Sequence, residues 1–318
     1  MANIGRITNI EWLRIIAVSA VVLIHIDACY TYFFLPATRF AVPFFFMVTG
    51  YFMGDQSRKK HWQKHIITAL LVLLSATLLY ATFEFFGSLF NGRSMCTWPW
   101  KQLCIKWICF NQNPFHYHLW FLGAYLYVII IGACIDKYNL WRWMYWMIIP
   151  LFIVRFSMQA ADLPAILSRN FLFIGLPCFL CGSWLRSNKS LYILRLSHTT
   201  LIWICILTAT LPYGENFLWE NVLELRFGDL ATSYIQAFFL LLAAVELPQI
   251  HQQELPSDAR NLVLGIYIIH PLVNFIYTHI LPPEPLIIYN TWLAPVIVFF
   301  TSWIISVVAI QACKSSIL

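Results

Sequence analysis

The sequence predicts an all-α fold: a polytopic transmembrane helical bundle of about ten spans, with both termini cytoplasmic. Three observations predict it. Of 318 residues, 60% are hydrophobic and only 11% are charged, where a soluble domain carries roughly a quarter charged residues. The mean hydropathy is +0.71. Apolar runs recur at lengths close to the ~20 helical residues that cross a bilayer. They are too long and too uniformly apolar to be strands of a barrel, the other structure that lipid admits.

In chain order the runs lie near 10–30, 40–54, 66–90, 118–135, 141–157, 171–185, 199–212, 229–247, 262–281 and 291–312. The second, sixth and seventh are short. Residues 91–117, which include "NGRSMCTWPWKQLCIKWICF", form the longest polar or interfacial loop. No repeat, low-complexity tract or soluble segment divides the chain, so 1–318 reads as one domain. Positive charge sets the orientation. With the N-terminus inside, the inner loops hold Arg6, Arg58, Lys59, Lys60, Lys64, Lys137, Arg142, Arg186, Lys189, Arg195, Arg260 and Lys314. The outer face receives Arg39, Arg93, Lys101, Lys106, Arg155, Arg169 and Arg226. This bias accounts for the net charge of +6 and implies no nucleic-acid partner.

Residues 1–29 imitate a lipoprotein signal at "IDAC", but Arg14 interrupts the apolar core and Asp27 is wrong for cleavage. Of nine Cys, most fall inside apolar runs, where a small buried thiol is the ordinary expectation. Cys96, Cys104 and Cys109 share the outer loop, which an oxidising compartment would allow to hold one disulfide.

The first run carries chemistry. Arg14 and His25 are eleven steps apart, about 20° past three helical turns and ~16 Å along the axis, and Glu11 lies one turn before Arg14. Lipid-facing placement of the three would be prohibitive, so their stripe is expected to face the bundle interior or a wet cavity. Two readings stand for Glu11 and Arg14: an interfacial ion pair with Arg14 snorkelling, or part of a site. For His25 they are a satisfied neutral imidazole or a general base, since an imidazole can accept a hydroxyl proton at neutral pH.

Further elements agree with one family. The Arg-x10-His spacing, "VPFFFMVTGYFM" (42–53) with Thr49 where serine is usual, "YHLWFL" (117–122) and "LGIYIIHPLV" (264–273) stand in the order found in the acyltransferase-3 family. The chain resembles a single-domain member of that family of integral membrane acyltransferases. The resemblance implies a ten-helix bundle, multi-pass in a bacterial inner membrane, and a cytoplasmic acyl-CoA donor, with acetyl-CoA the simplest. It also implies a hydroxyl acceptor on a glycan or lipid-linked saccharide at the outer half of the membrane. By it His25 is the catalytic base, with Arg14 its essential partner; Glu11 joins them as a candidate through its place on the same stripe. Arg58, Lys59, Lys60 and Lys64 stand where the family has an arginine-rich cytoplasmic motif, and would meet the donor's phosphates as point charges rather than bidentate forks.

Tyr267 and His270 share a helix face three residues apart; they orient the acceptor or His25, or serve as polar glue between helices. His118 and Trp120 begin the fourth run; Trp120 is an interface anchor or a sugar-stacking platform. The 58–65 run also suits an anionic-lipid anchor. Pro43, Gly50, Pro177 and Gly182 interrupt runs and are candidate cavity walls. His61 with His65, and His116 with His118, have metal-compatible spacings, but no Cys or carboxylate completes a site, so no metal is expected. The competing class is a transporter or flippase, which the lack of a repeat and the scarcity of intramembrane acids, mainly Glu84 and Glu246 with Asp229 near a helix end, disfavour.

Overall fold

A computed structural model describes residues 7–26, 31–54, 61–90, 98–187, 196–222, 229–249, 259–280 and 287–315, and it contains no strand among them. Its helices are α1 (Thr8–Ile24), α2 (Thr31–Thr38), α3 (Ala41–Met53), α4 (Trp62–Phe90), α5 (Trp100–Phe110), α6 (Trp120–Lys137), α7 (Trp141–Trp146), α8 (Ile148–Ala160), α9 (Ala165–Ser168), α10 (Leu176–Ser187), α11 (His198–Phe217), α12 (Ala231–Glu246), α13 (Ala259–Ile280) and α14 (Ile287–Ser315). A π-helical turn, Phe171–Gly175, leads into α10.

Among the described residues six helical stretches are long and apolar enough to cross a membrane: Phe33–Met53, Trp62–Leu89, Tyr117–Lys137, His198–Val222, Ala259–His279 and Leu293–Cys313. Phe171–Ser187 and Ala231–Glu246 are shorter apolar helices. Each expected run is helical over most of its described residues, and six stretches among those residues have spanning length. The first run, expected over 10–30, ends as a helix at Ile24 after 17 residues, about 26 Å of rise. The expected loop at 91–117 also contains α5. Leu103, Trp107 and Phe110 are its half-covered positions, while Lys101 and Lys106 stand exposed together with Ile105 and Ile108. Cys104 and Cys109 are free thiols on it; Cys96 lies outside the described residues.

The chain divides into two compact units, Met1–Phe45 with Tyr192–Leu318, and Phe46–Leu191. In the first, α1 is the central helix and packs against α2, α12, α13 and α14, while α11 pairs with α12 and α13 with α14. Ile10, Ala17, Val18, Val21 and Val22 of α1 are buried by these neighbours. Polar bonds fix the directions. At the start of α1, the Asn9 Nδ2 donates to the Leu247 and Pro248 carbonyls at 3.3 and 3.1 Å, and the Asn9 N–H donates to Gln249 Oε1 at 3.2 Å. The start of α1 and the chain just past the end of α12 are thus tied together through the Asn9 and Gln249 side chains, and α12 runs antiparallel to α1. At the other end of α12, Glu215 accepts from the Ala231 and Thr232 N–H groups at 2.8 and 2.7 Å and from Thr232 Oγ1 at 2.6 Å.

In the second unit, the lower half of α3 meets α10 backbone to backbone. A Cβ on Gly50 would fall on the Phe179 carbonyl, and one on Gly182 on the Met47 carbonyl. Gly50 and Gly182 were expected to line a cavity; they are contact points instead, because in lipid helices gain by close approach and only a missing side chain permits it. Asp136 closes the far end of α6, accepting from Trp62 Nε1 at 2.8 Å and Trp141 Nε1 at 3.0 Å. Arg155, expected on an outer loop, lies inside α8 at 0% exposure. Its Nη1 donates to the Ser168 carbonyl at 2.5 Å and its guanidinium stands 5.6 Å from the Phe156 ring.

Candidate functional site

Two histidines 245 positions apart meet in the first unit. His25 is the C-cap of α1, with φ −95° and ψ 1°, so it ends the helix. Its Nδ1 sits 2.8 Å from the Val21 carbonyl. On α13 the Nδ1 of His270 sits 3.1 Å from the Ile266 carbonyl. A carbonyl can only accept, so each Nδ1 carries a proton, and in each neutral ring Nε2 is the basic nitrogen. The two ring centroids are 5.2 Å apart and tilted by 57°; the Tyr267 ring is 6.1 Å from that of His270. His270 and Tyr267 are buried, whereas His25 is exposed. Of the stripe expected to face the bundle interior or a wet cavity, Glu11 is buried and His25 is open.

The start of the stripe is an ionic cluster. Glu11, 2% exposed, accepts from Arg14 Nη1 at 2.6 Å, with the Arg14 side chain 13% exposed. The pair is intrahelical at i,i+3, as the sequence spacing requires. A second guanidinium joins it from α13: Arg260 Nε stands 3.6 Å from the same Glu11 oxygen, its side chain 71% exposed. Glu11 with Arg260 at one end and His25 with His270 at the other mean that α1 and α13 run parallel. Nothing in the sequence singled out Arg260 from the other inner-loop cations, since its partner lies 249 residues away.

The remaining expected residues belong to the second unit. Lys64 is exposed in the first turn of α4; Arg58, Lys59 and Lys60 lie outside the described residues. His118 is 1% exposed and Trp120 8%. Trp120 therefore packs inside the unit, where a headgroup anchor or a sugar platform would present an open face. His118 Nδ1 lies 2.6 Å from His116 Nδ1, so one ring donates while the other accepts. Both rings rest on buried Tyr80, at 4.6 Å for His116 and 4.9 Å for His118. Asn111, at φ 52°, locks the entry to α6: Nδ2 donates to the Trp120 carbonyl and Oδ1 accepts from the Phe171 N–H, both at 3.0 Å. Among the described residues no three His, Cys, Asp or Glu side chains converge as a metal site.

The family model of the acyltransferase-3 type, described as an acyltransferase domain, matches residues 7–311. No curated protein and no solved structure matches the chain. The matched span includes every described residue of the His25–His270 pair and of the Glu11 cluster.

Proposed function

The chain belongs to the acyltransferase-3 family, and from that premise we propose that it is a membrane O-acyltransferase that uses His25 as general base. It moves an acyl group, most simply acetyl, from cytoplasmic acyl-CoA to a hydroxyl of a glycan or lipid-linked saccharide at the periplasmic side. The proposed setting is a bacterial inner membrane, with ten crossings and both termini in the cytoplasm. One observation carries the reading: an exposed imidazole at the end of α1, held by its Nδ1 on the Val21 carbonyl and backed by a second imidazole. An exposed imidazole is costly against lipid and useful against water or a ligand.

In the proposed reaction the acceptor oxygen attacks the thioester carbonyl while His25 Nε2 takes the hydroxyl proton. The new C–O bond forms and a tetrahedral oxyanion results. Its collapse breaks the C–S bond, and the imidazolium returns the proton to the departing thiolate. Base assistance of this kind contributes about 10²–10⁴ in rate. His270 and Tyr267 act as positioning residues that hold the His25 ring and the acceptor. Arg14, oriented by Glu11, holds the polar part of the donor, with Lys64 and the neighbouring Arg58, Lys59 and Lys60 as further cations facing its phosphates.

The test compares purified wild-type protein with His25→Ala. Saturable acetyl-CoA binding by both, with thioester turnover by the wild type alone, supports the reading. Failure of well-folded wild-type protein to bind any acyl-CoA would overturn it and leave a transporter of small or lipid-linked substrates as the better description.

A further inference from the structure

Beyond His270, α13 keeps two distinct sides. Phe275 and Ile276 are exposed and mark an apolar outer side. Asn274 lies about 100° and 200° around the helix from them, but only about 40° from His270. It follows His270 by four residues, so the two side chains share a face ~6 Å apart along the axis. Buried Tyr267 precedes them on that face.

The Asn274 main-chain carbonyl accepts from Thr278 Oγ1 at 3.0 Å. The side chain is half-covered, and its Oδ1 is buried with no hydrogen-bond partner among the described residues. Buried polar atoms are nearly always satisfied, because an amide oxygen stripped of water and given no donor weakens the fold. A residue kept as polar glue would have its partner on a neighbouring helix, and no such bond is made to this oxygen among the described residues. The position gives it another use. One turn back, the His270 ring stands 5.2 Å from the ring of His25, whose Nε2 is the base of the proposed reaction.

We infer that Asn274 is a positioning residue that selects the acceptor: its carboxamide binds a second hydroxyl of the molecule whose first hydroxyl gives its proton to His25. A carboxamide accepts at Oδ1 and donates at Nδ2, and a hydroxyl does both, so the two groups match. Two hydrogen bonds of ~2.8 Å, joined through the carbons of a diol, cover a separation of the order of one helical turn. The acceptor is therefore a polyol of the kind that sugars present, in preference to an alcohol with one hydroxyl. The inference rests on the reading of His25 as the base of an acyl transfer.

The experiment reconstitutes full-length wild type, Asn274→Leu, Asn274→Ala and Asn274→Gln in lipid nanodiscs. It measures acetyl transfer from acetyl-CoA to ethanol and to methyl glycosides of glucose, galactose, rhamnose and N-acetylglucosamine, and the thermal midpoint with and without each glycoside. In Asn274→Leu and Asn274→Ala the ratio of kcat/KM for glycoside to that for ethanol should fall roughly tenfold to hundredfold, through KM for the glycoside. Asn274→Gln, which keeps the carboxamide, should fall between. Asn274→Leu should hold or raise the midpoint without glycoside, since it removes a buried oxygen that lacks a donor. Equal losses for glycoside and ethanol, with a lowered midpoint, would mark Asn274 as structural and overturn the inference. So would a wild type that acetylates ethanol and none of the glycosides, while the acyltransferase reading would stand. A wild type that binds no acyl-CoA defeats that reading instead; Asn274 then still requires that a glycoside raise the midpoint of the wild type and not of Asn274→Ala, and fails otherwise. Two size classes, Ala and Leu, keep the question decidable if one variant does not fold.

Discussion

Replacing Glu11 by Gln isolates what the carboxylate does. Breaking a buried ion pair from one side costs about 3–5 kcal/mol, and Arg14 at 13% exposure places this pair at the low end, about 3 kcal/mol. The glutamine oxygen keeps a neutral hydrogen bond for Arg14, worth about 1 kcal/mol. Arg260, at 71% exposure, adds under about 0.5 kcal/mol as a surface-type pair. The net expectation is a loss of about 2 kcal/mol, roughly thirtyfold in the folding equilibrium. Equilibrium unfolding in mixed micelles measures it. The companion variant Glu11→Gln with Arg14→Met removes the stranded cation, so a double-mutant cycle should return a coupling of about 1–2 kcal/mol. A Glu11→Gln effect within 0.5 kcal/mol of zero, or single effects that simply add, would refute the view that Glu11 compensates a buried Arg14.

Three other substitutions probe the remaining features. On the proposed reading, in which His270 positions the His25 ring 5.2 Å away, His270→Ala should lower kcat for transfer about tenfold to a hundredfold while the donor KM stays fixed; a parallel fall in donor affinity would speak for general collapse instead. Gly182→Leu should abolish folded expression, read by size-exclusion chromatography, because its side chain meets the Met47 carbonyl and overpacking costs ~1–3 kcal/mol or more. Glu215→Ala should destabilise the protein by about 1–2 kcal/mol, the ordinary value of an N-terminal cap, since it strips acceptors from the Ala231 and Thr232 N–H groups; hydrogen exchange should rise first at the start of α12.

Part of the candidate site was legible because helical spacing is local. Glu11 and Arg14 are one turn apart, so any helix through them brings a carboxylate to a guanidinium, and the structure has that bond. Tyr267 and His270 follow the same rule. The end of the helix at His25 was not legible. Periodicity continued the helix to residue 30, whereas the chain leaves helical geometry at His25, and an apolar run carries no mark of where its hydrogen bonds stop.

Composition by itself determined that this chain is helical and membrane-embedded, because with 60% hydrophobic and 11% charged residues lipid is the solvent and backbone groups must pair within each segment. It also determined the chemical inventory along α1. Which helices lie together was decided only by tertiary structure. Hydrocarbon and protein interior are equally apolar, so hydropathy does not distinguish a lipid-facing leucine from one that faces a neighbour; association follows from packing and polar contacts. That is why the meeting of His25 with His270, the approach of Arg260 to Glu11, the burial of Arg155 and the Gly50–Gly182 crossing had to be read from the fold. Each joins residues whose partners lie on other elements, where no sequence period reaches.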